Sequence, residues 1–538
     1  LAGNAYSGTD SFTFTIDTVA PSAFLSSSDS DNFIVASDVV TITASFTEPM
    51  TATPTLSISG GILSNVQFTS YTENGVQIGS TINGTVAKQS LQGVSLSYDG
   101  KILAIGSPFT STTGPGFVKV YKLESGSWNQ LGSTLMGHDG GGTTVREKFG
   151  YDVQLNNDGT RLIVGADQYW AGARGYARVY DWNGSDWIQL GSVTVPGGAN
   201  ASFAAGNTGA DSLGQAVDIS SDGNRVIVGA PQPWNPSSSS SKKGYVRIYE
   251  YTPSGVASWT QLGTTITGDT MNDQFGSSVK ISEDGTRIAV GAYKYDSSKG
   301  QVKIYDYDSG TSAWTLVGNI TPNEASGYAG IGRTISLSSN KNSISIGIPN
   351  SASGGSSRGS VRVYDYTPSG VASWTQRGSS ILGDTNNEWK STSISGDGNR
   401  IIVGSASSAG GSFSIYNWNG SSWTQTGSSV PGRASNSYFG RRVHISKDGN
   451  SAVSSGPLDD SNISDGGYAQ VYSLGGYKYA WDVDNGGAPS DGTYYATVSG
   501  TDSNTNAYVA GTQSITFTVD TTAPSVSLTN TDNNNKVN

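Results

Sequence analysis

Only two histidines occur in the 538-residue chain, His138 in the glycine-rich phrase MGHDGGG and His444 in the strand-like phrase RRVHIS. A Ser-His-Asp arrangement has no phrase such as G-x-S-x-G to support it, so both histidines read as incidental or structural. The chain has no cysteine, which removes thiolate nucleophiles, disulfides and Cys-type metal sites. H-E-x-x-H, P-loop and dinucleotide phrases are absent as well. A pair of carboxylates joined only by folding leaves no mark in a sequence, and that route to catalysis alone stays open. The expectation is therefore a chain that is not an enzyme.

Composition says what must carry any site. Charged residues make up 14% of the chain, against roughly 25% in ordinary domains. Gly reaches 72, Tyr 27 and Trp 12, with many Val, Ile and Thr and no long window of helical period, which together predict an all-β fold rich in turns. The net charge of −11 argues against a nucleic-acid partner, because a phosphate backbone needs clustered Lys and Arg. No run approaches 18 apolar residues, so no membrane insertion is expected. The opening LAGNAYSGTD carries neither a charged leader nor an apolar signal core, and reads as a fragment parted from its targeting segment. An acidic, cysteine-free surface fits an exported protein of a cell surface or appendage.

Three phrases repeat. The first is an apolar stretch leading into S-x-D-G or a variant of it, as in VSLSYDGKILAIGSP from Val94 and VKISEDGTRIAVGAY from Val279, and it occurs seven times, with NNDG at 156–159 and SSNK at 338–341 as the variants. The second, GYVRIY and its relatives, begins at Gly116, Gly175, Gly244, Gly300, Gly359, Gly411 and Gly467. The third, SWTQLG and its relatives, follows only six of these, at Trp128, Trp187, Trp259, Trp314, Trp374 and Trp423; its counterpart lies ahead of the first repeat, in GVQIGSTI from Gly75. Asp-Gly between alternating apolar residues is a tight hairpin turn. Each repeat then makes a four-stranded blade, and the displaced phrase supplies the last blade's outer strand. This predicts a seven-bladed β-propeller over 73–475, closed by its own ends.

The flanks read differently. Residues 21–72 and 476–525 alternate as strands, yet neither half has enough of them to bury a two-sheet core, so they are expected to form one sandwich into which the propeller is inserted. TDSFTFTIDTVAPS at 9–22 returns as TQSITFTVDTTAPS at 512–525. That echo makes 1–20 the closing strand of a preceding sandwich and 526–538 the start of the next.

The repeat phrases resemble the FG-GAP repeats of integrin α-chain propellers and bacterial surface proteins, through FGSSVKISEDGTRIAVGA…GQVKIY around 275–305 and the FG dipeptides Phe149-Gly150 and Phe439-Gly440. Calcium-binding members of that family carry D-x-D-x-D-G-x-x-D at the first hairpin. The single carboxylate of S-x-D-G here is too poor in oxygen to hold calcium. The flanks resemble bacterial Ig-like repeats of long exported surface proteins. These resemblances imply a non-enzymatic structural and adhesive unit of an extracellular array or filament, with neighbouring copies, surface glycans or cell-surface proteins as partners. A carbohydrate-binding surface module, or a polysaccharide or ester hydrolase with a carboxylate pair, are the alternatives.

Candidate ligand-binding residues lie where the blades differ, in the loops after the second strands: Tyr169 and Trp170, Trp234, and Tyr293 and Tyr295. Exposed aromatics there suit sugar stacking or protein contact, against a loop-anchoring role. Calcium is the one cofactor the resemblance implies, at junctions between Ig-like units, with Asp17 and Asp29 or Asp31, and Asp520 and Asp532, as its ligands. Asn83, Asn183, Asn200, Asn319, Asn419 and Asn462 are glycosylation sequons if the host modifies them. The recurrent Lys119, Arg178, Arg247, Lys303 and Arg362, like the recurrent tryptophans, read as blade-building residues.

Overall fold

A computed structural model of the chain describes residues 75–474 apart from 109–114, 138–147, 168–174, 192–203, 206–210, 232–242, 254–257, 322–328, 350–357, 369–372 and 384–388, together with the flanking strands named below. The chain divides into two compact units, 77–474 and the combined flanks 1–76 and 475–538.

The flanking unit contains two sheets, and each draws strands from both sides of the inner unit. One has the order Ala23–Ser27, Val40–Phe46, Tyr477–Asp484, Asn65–Glu73; the other runs Phe33–Ile34, Ser514–Val519, Gly492–Thr501, Thr55–Ser59. The alternation read from the sequence is visible on Gly492–Thr501, where Tyr494, Ala496 and Val498 are buried while Thr493 and Tyr495 are exposed.

Residues 77–474 form seven antiparallel sheets, a seven-bladed β-propeller. Their innermost strands are Gly93–Leu96, Phe149–Leu155, Ala216–Ile219, Phe275–Ile281, Thr334–Leu337, Trp389–Ile394 and Arg442–Ile445. Each lies against the innermost strand of the next blade, and the seventh lies against the first. The core is accordingly seven apolar wedges, each shared by two adjacent blades. Burying one Val, Leu or Ile side chain in such a wedge is worth about 1.5–3 kcal/mol.

The displaced phrase closes the ring. Ile82 and Asn83 pair with Ala469 and Tyr468 of the seventh blade, and Ile78 N–H donates to Val471 O at 2.7 Å. Gln77 Nε2 donates to Gly79 O at 3.0 Å, the same turn that Gln130, Gln261, Gln376 and Gln425 make in the outer strands of other blades.

The S-x-D-G phrase is also a joint between blades. In the third blade Ser220 Oγ donates to Asp222 Oδ1 at 2.6 Å and accepts the Arg225 N–H at 2.9 Å, which fixes the hairpin. The residue between Ser and Asp then links to its counterpart one blade on: Tyr98 N–H to Asn157 O, Asn157 to Ser221, Ser221 to Glu283, Ser339 to Gly396 and Gly396 to Lys447, at 2.7–3.2 Å. Asp448 N–H returns to Tyr98 O at 3.2 Å, and Ser339 Oγ donates to the Glu283 carboxylate. These bonds girdle one end of the ring.

The recurrent tryptophans bind the outer edge. Nε1 of Trp128, Trp187, Trp259, Trp314 and Trp423 each donates to an outer-strand carbonyl of the preceding blade, at 2.9–3.1 Å. The recurrent third-strand cations reach the segment that leads in from the preceding blade, bond to the outer segment of their own blade, or lie over a ring of their own strand. Lys303 Nζ lies 2.5 Å from Asp269, Arg362 Nε donates to Ser380 Oγ at 2.9 Å, and Arg247 lies 5.0 Å from the centroid of Tyr245.

Candidate functional site

All seven innermost strands line one cavity, the central channel of the propeller. Its walls are stacked rows of side chains, each blade contributing one residue per row. The row Ser95, Gln154, Asp218, Lys280, Ser336, Ser393 and His444 joins the blades. Ser95 Oγ accepts the Leu155 N–H at 3.0 Å, Asp218 Oδ2 accepts Ile281 N–H at 2.8 Å, Ser336 accepts Ile394, and Ser393 accepts Ile445. His444 completes the row by accepting Leu96 N–H at Nδ1, 3.2 Å away. Burial, reinforced by the charges of Lys280 and Lys447, pushes its pKa down to about 3. A ring nitrogen that accepts a backbone N–H is unprotonated, so the structural reading of His444 agrees with its geometry; His138 lies outside the described residues.

Toward the opposite end from the S-x-D-G girdle the rows change character. In the fourth and sixth blades Ser278 and Ser391 donate to Gly332 O and Gly440 O of the next blade, at 2.6 and 2.7 Å. The second and seventh blades place Asp152 and Arg442 in this row instead. Asp152 Oδ2 accepts Val217 N–H at 3.0 Å and Oδ1 accepts its neighbour Val153 N–H at 3.1 Å. Burial raises the Asp152 pKa, while the nearby positive charges of Arg442 and Lys280 oppose that rise. Asp218 is the other channel carboxylate that acts on it, but its own oxygens are engaged by Ile281 N–H and by Lys280 at 3.3 Å.

One residue further out is the mouth, lined by Gln92, Tyr151, Gln215, Ser277, Arg333 and Arg441 at or just before the innermost strands, with Trp389 at the start of the sixth blade's innermost strand and Tyr293 beside them. The Arg333 guanidinium carbon lies 3.9 Å from the Trp389 centroid and 4.5 Å from that of Tyr293. Arg441 sits 5.7 Å from Trp389, and Arg442 is 5.7 Å from Tyr151. The mouth is thus a cationic and aromatic patch leading to a carboxylate.

Of the aromatic candidates, Tyr293 is at this mouth, where Arg333 takes one of its faces. Tyr295 packs on the wedge between the third and fourth blades. Tyr169, Trp170 and Trp234 lie outside the described residues, as do Asp17, Asp29, Asp31, Asp520, Asp532 and Asn200. Among the described residues no group of three His, Cys, Asp or Glu could hold a metal ion. The other sequon asparagines carry local contacts: Asn83 accepts from Arg433 at 2.7 Å, Asn319 from Gln301 at 2.9 Å, Asn183 and Asn419 brace turns, and Asn462 donates to Gly84 O at 3.3 Å. Among the described residues no helix is long and apolar enough to cross a membrane.

Sequence reading missed Tyr151, Asp152, Arg333, Trp389, Arg441 and Arg442. The signal was present: aligning the repeats on F-G-x-x-V sets the pairs Tyr151-Asp152, Arg333-Thr334 and Arg441-Arg442 against Gln215-Ala216 and Ser277-Ser278.

No protein-family model matches the chain, and no curated protein sequence is similar to it. Among solved structures it is similar to the hydrazine synthase of Kuenenia stuttgartiensis (13% identity, TM-score 0.43, 71% of this chain and 96% of that one). It is also similar to a Bacteroides uniformis protein described as a candidate 6-phosphogluconolactonase (12%, 0.43, 71% and 98%) and to the periplasmic gluconolactonase of Pseudomonas aeruginosa (12%, 0.42, 69% and 98%). Two expectations are corrected against these neighbours. The structural and adhesive unit, and the statement that the chain is not an enzyme, both leaned on missing catalytic phrases. Chains described as enzymes stand among the propellers it is similar to, so neither expectation is kept. A likeness this distant assigns no chemistry here, and what the site does has to come from its own residues.

Proposed function

We propose that the propeller is a hydrolase of small esters or lactones, with Asp152 as its general base. The observation that carries this reading is the pairing, in the one cavity shared by all seven blades, of a carboxylate in a low-dielectric wall with a neighbouring guanidinium, Arg442. The carboxylate takes a proton from water as the water oxygen bonds to the ester carbonyl carbon. Arg442 stabilises the oxyanion that forms, and the carbon–oxygen bond to the leaving alkoxide then breaks as the proton passes to it. The raised pKa of Asp152 makes its carboxylate a stronger base than that of an ordinary aspartate, while Arg442 and Lys280 favour the ionised form. The carboxylate-pair version of the reaction is weaker, because Asp218 is committed to Lys280 and Ile281.

Asp152→Asn tests this with a panel of aldonolactones and sugar esters followed by proton release. Turnover is expected to fall at least about 100-fold, as for loss of a general base. The fold is expected to persist, because the amide oxygen still accepts one of the two backbone N–H groups. A full-length protein without turnover on any lactone or ester, or a variant as active as the parent, sinks the reading.

The finer family and setting belong to the same proposal. The repeats are read as FG-GAP-like on their FG dipeptides, and the flanks as Ig-like on their repeated closing phrase. The absence of cysteine and the net charge of −11 support an exported setting. Calcium at Asp17, Asp29, Asp31, Asp520 and Asp532 is tested by titrating the metal and following melting temperature.

A further inference from the structure

The mouth poses a charge problem that the hydrolytic reading leaves open. The chain carries a net charge of −11, yet Arg333, Arg441 and Arg442 gather at one opening. Among the described residues none of the three makes a salt bridge to a carboxylate; Asp152 is the neighbouring negative charge, and it acts on Arg442 without direct contact. Four other arginines show the contrast: Arg161, Arg225, Arg287 and Arg433 hold Asp181, Glu250, Asp306 and Asp459 within 2.5–2.8 Å. Burial and mutual repulsion both act against the charged forms of Arg333 and Arg441, so gathering them costs stability. Such a cost is retained where a ligand repays it.

The aromatic residues say what kind of ligand. A sugar ring stacks on a free aromatic face, but here Arg333 lies over both Trp389 and Tyr293. A guanidinium held over a ring keeps N–H donors at its edge for an anion, here after one of them serves the Tyr293 side chain. Gln215 Oε1, a buried acceptor in the same opening, has no partner and suits a ligand hydroxyl.

We propose that Arg333, Arg441 and Arg442 form a recognition site for a tetrahedral oxyanion, a phosphate or sulfate group on a hydroxylated small molecule. The inference rests on the hydrolytic reading only in calling that molecule the substrate; the oxyanion site stands without it. Three guanidinia match the several oxygens of a tetrahedral group better than the two of a carboxylate.

The test is calorimetric titration of the full chain with inorganic phosphate, sulfate and acetate at low salt. Phosphate or sulfate is expected to bind at one site, more tightly than acetate and more weakly as salt rises. Arg333→Gln and Arg442→Gln are each expected to lower that affinity about tenfold or more. Circular dichroism and melting temperature show that each variant is folded, and Arg441→Lys provides a second variant that keeps the charge and loses the fork. Absence of phosphate and sulfate binding by the folded parent, or binding that these variants leave unchanged, overturns the proposal. Phosphate or sulfate binding without ester turnover keeps the oxyanion site and removes the hydrolase. Turnover of neutral esters that depends on Asp152 and Arg442, by a parent that binds neither phosphate nor sulfate, does the reverse.

Discussion

Leu96, on the first blade's innermost strand, donates its backbone N–H to Nδ1 of His444 on the seventh, across the seam where the ring closes. In the first, fifth and sixth blades the same task falls to a serine hydroxyl, of Ser95, Ser336 and Ser393. A hydroxyl accepts at any pH, whereas the imidazole accepts only while neutral. Its folded-state pKa of about 3 lies below the ordinary 6.5. Between these values the unfolded chain takes up a proton that the folded chain does not, so stability is lost as pH falls below 6.5, by up to about 1.4 kcal/mol per unit. His444→Ser is expected to flatten this dependence between pH 7 and 5 while keeping the bond. Urea midpoints at the two pH values check it, and parallel slopes for parent and variant would refute the assignment.

The seven-fold repeat was legible because it rests on local chemistry: Asp-Gly turns, period-two strands, and an outer-strand phrase missing from one end and present at the other. The site was not legible by the same route. Attention to the loops after the second strands selected Tyr293 for its exposure, whereas in the structure it supports Arg333. Asp152 and Arg442 belong to the same row of the channel but stand 290 positions apart, on the second and seventh blades, and only closure of the ring brings them together. Nothing in either local phrase marks its strand as lining a channel rather than packing against a blade.

Arg377 compensates for a residue that its blade lacks. Arg161, Arg225, Arg287 and Arg400, on second strands, each send Nη1 to a turn carbonyl of the next blade, at 2.8–3.2 Å. The fifth blade has Ser343 at that position, and Arg377 from its outer segment donates to Gly398 O at 3.0 Å in its place. Arg377→Leu is expected to cost about 1–3 kcal/mol, the penalty for removing a charged donor from a part-buried acceptor. Adding Ser343→Arg should recover most of it by restoring the arrangement of the second, third, fourth and sixth blades. Chemical denaturation of both variants decides; a double variant no more stable than the single one would show that Arg377 has another role.

In five blades the glycine near the end of the second strand, Gly106, Gly165, Gly229, Gly291 or Gly404, meets the glycine at the FG position of the next blade. A Cβ on Gly229 would stand 2.1 Å from Gly276 O, a backbone atom that no rotamer change can move. Gly126 has nothing within 4 Å and is constrained only by a φ of +77°. Gly229→Ala is therefore expected to cost at least about 3 kcal/mol through forced separation of two blades. Gly126→Ala should cost about 1–2 kcal/mol, the strain of the left-handed backbone alone. Thermal unfolding of the pair separates the two causes, and equal losses would mean that blade contact is not what selects glycine at 229.

Seams within the ring are spanned by continuous chain, but the first and seventh blades are joined covalently only by way of the strand that precedes the first repeat, their other contacts being noncovalent. Trp128 Nε1 donates to Ile78 O of that strand at 2.9 Å, while Trp187 makes the same bond to Leu131 O at 3.0 Å inside the ring. Replacing either tryptophan with phenylalanine removes one buried bond, worth about 1 kcal/mol at equilibrium. The kinetic consequences should differ. Opening at the closing seam needs no rupture of a loop, so it is the lowest-energy local unfolding available, and Trp128→Phe should speed amide exchange in Tyr468–Ser473, to which the closing strand pairs. Trp187→Phe should leave exchange in that strand unchanged, because its bond lies between two blades that the chain already joins. Exchange measured strand by strand in the two variants tests this directly: equal protection of Tyr468–Ser473 in both would mean that the ring opens elsewhere, and that the closing strand is held by its pairing with the seventh blade more than by its tryptophan latch.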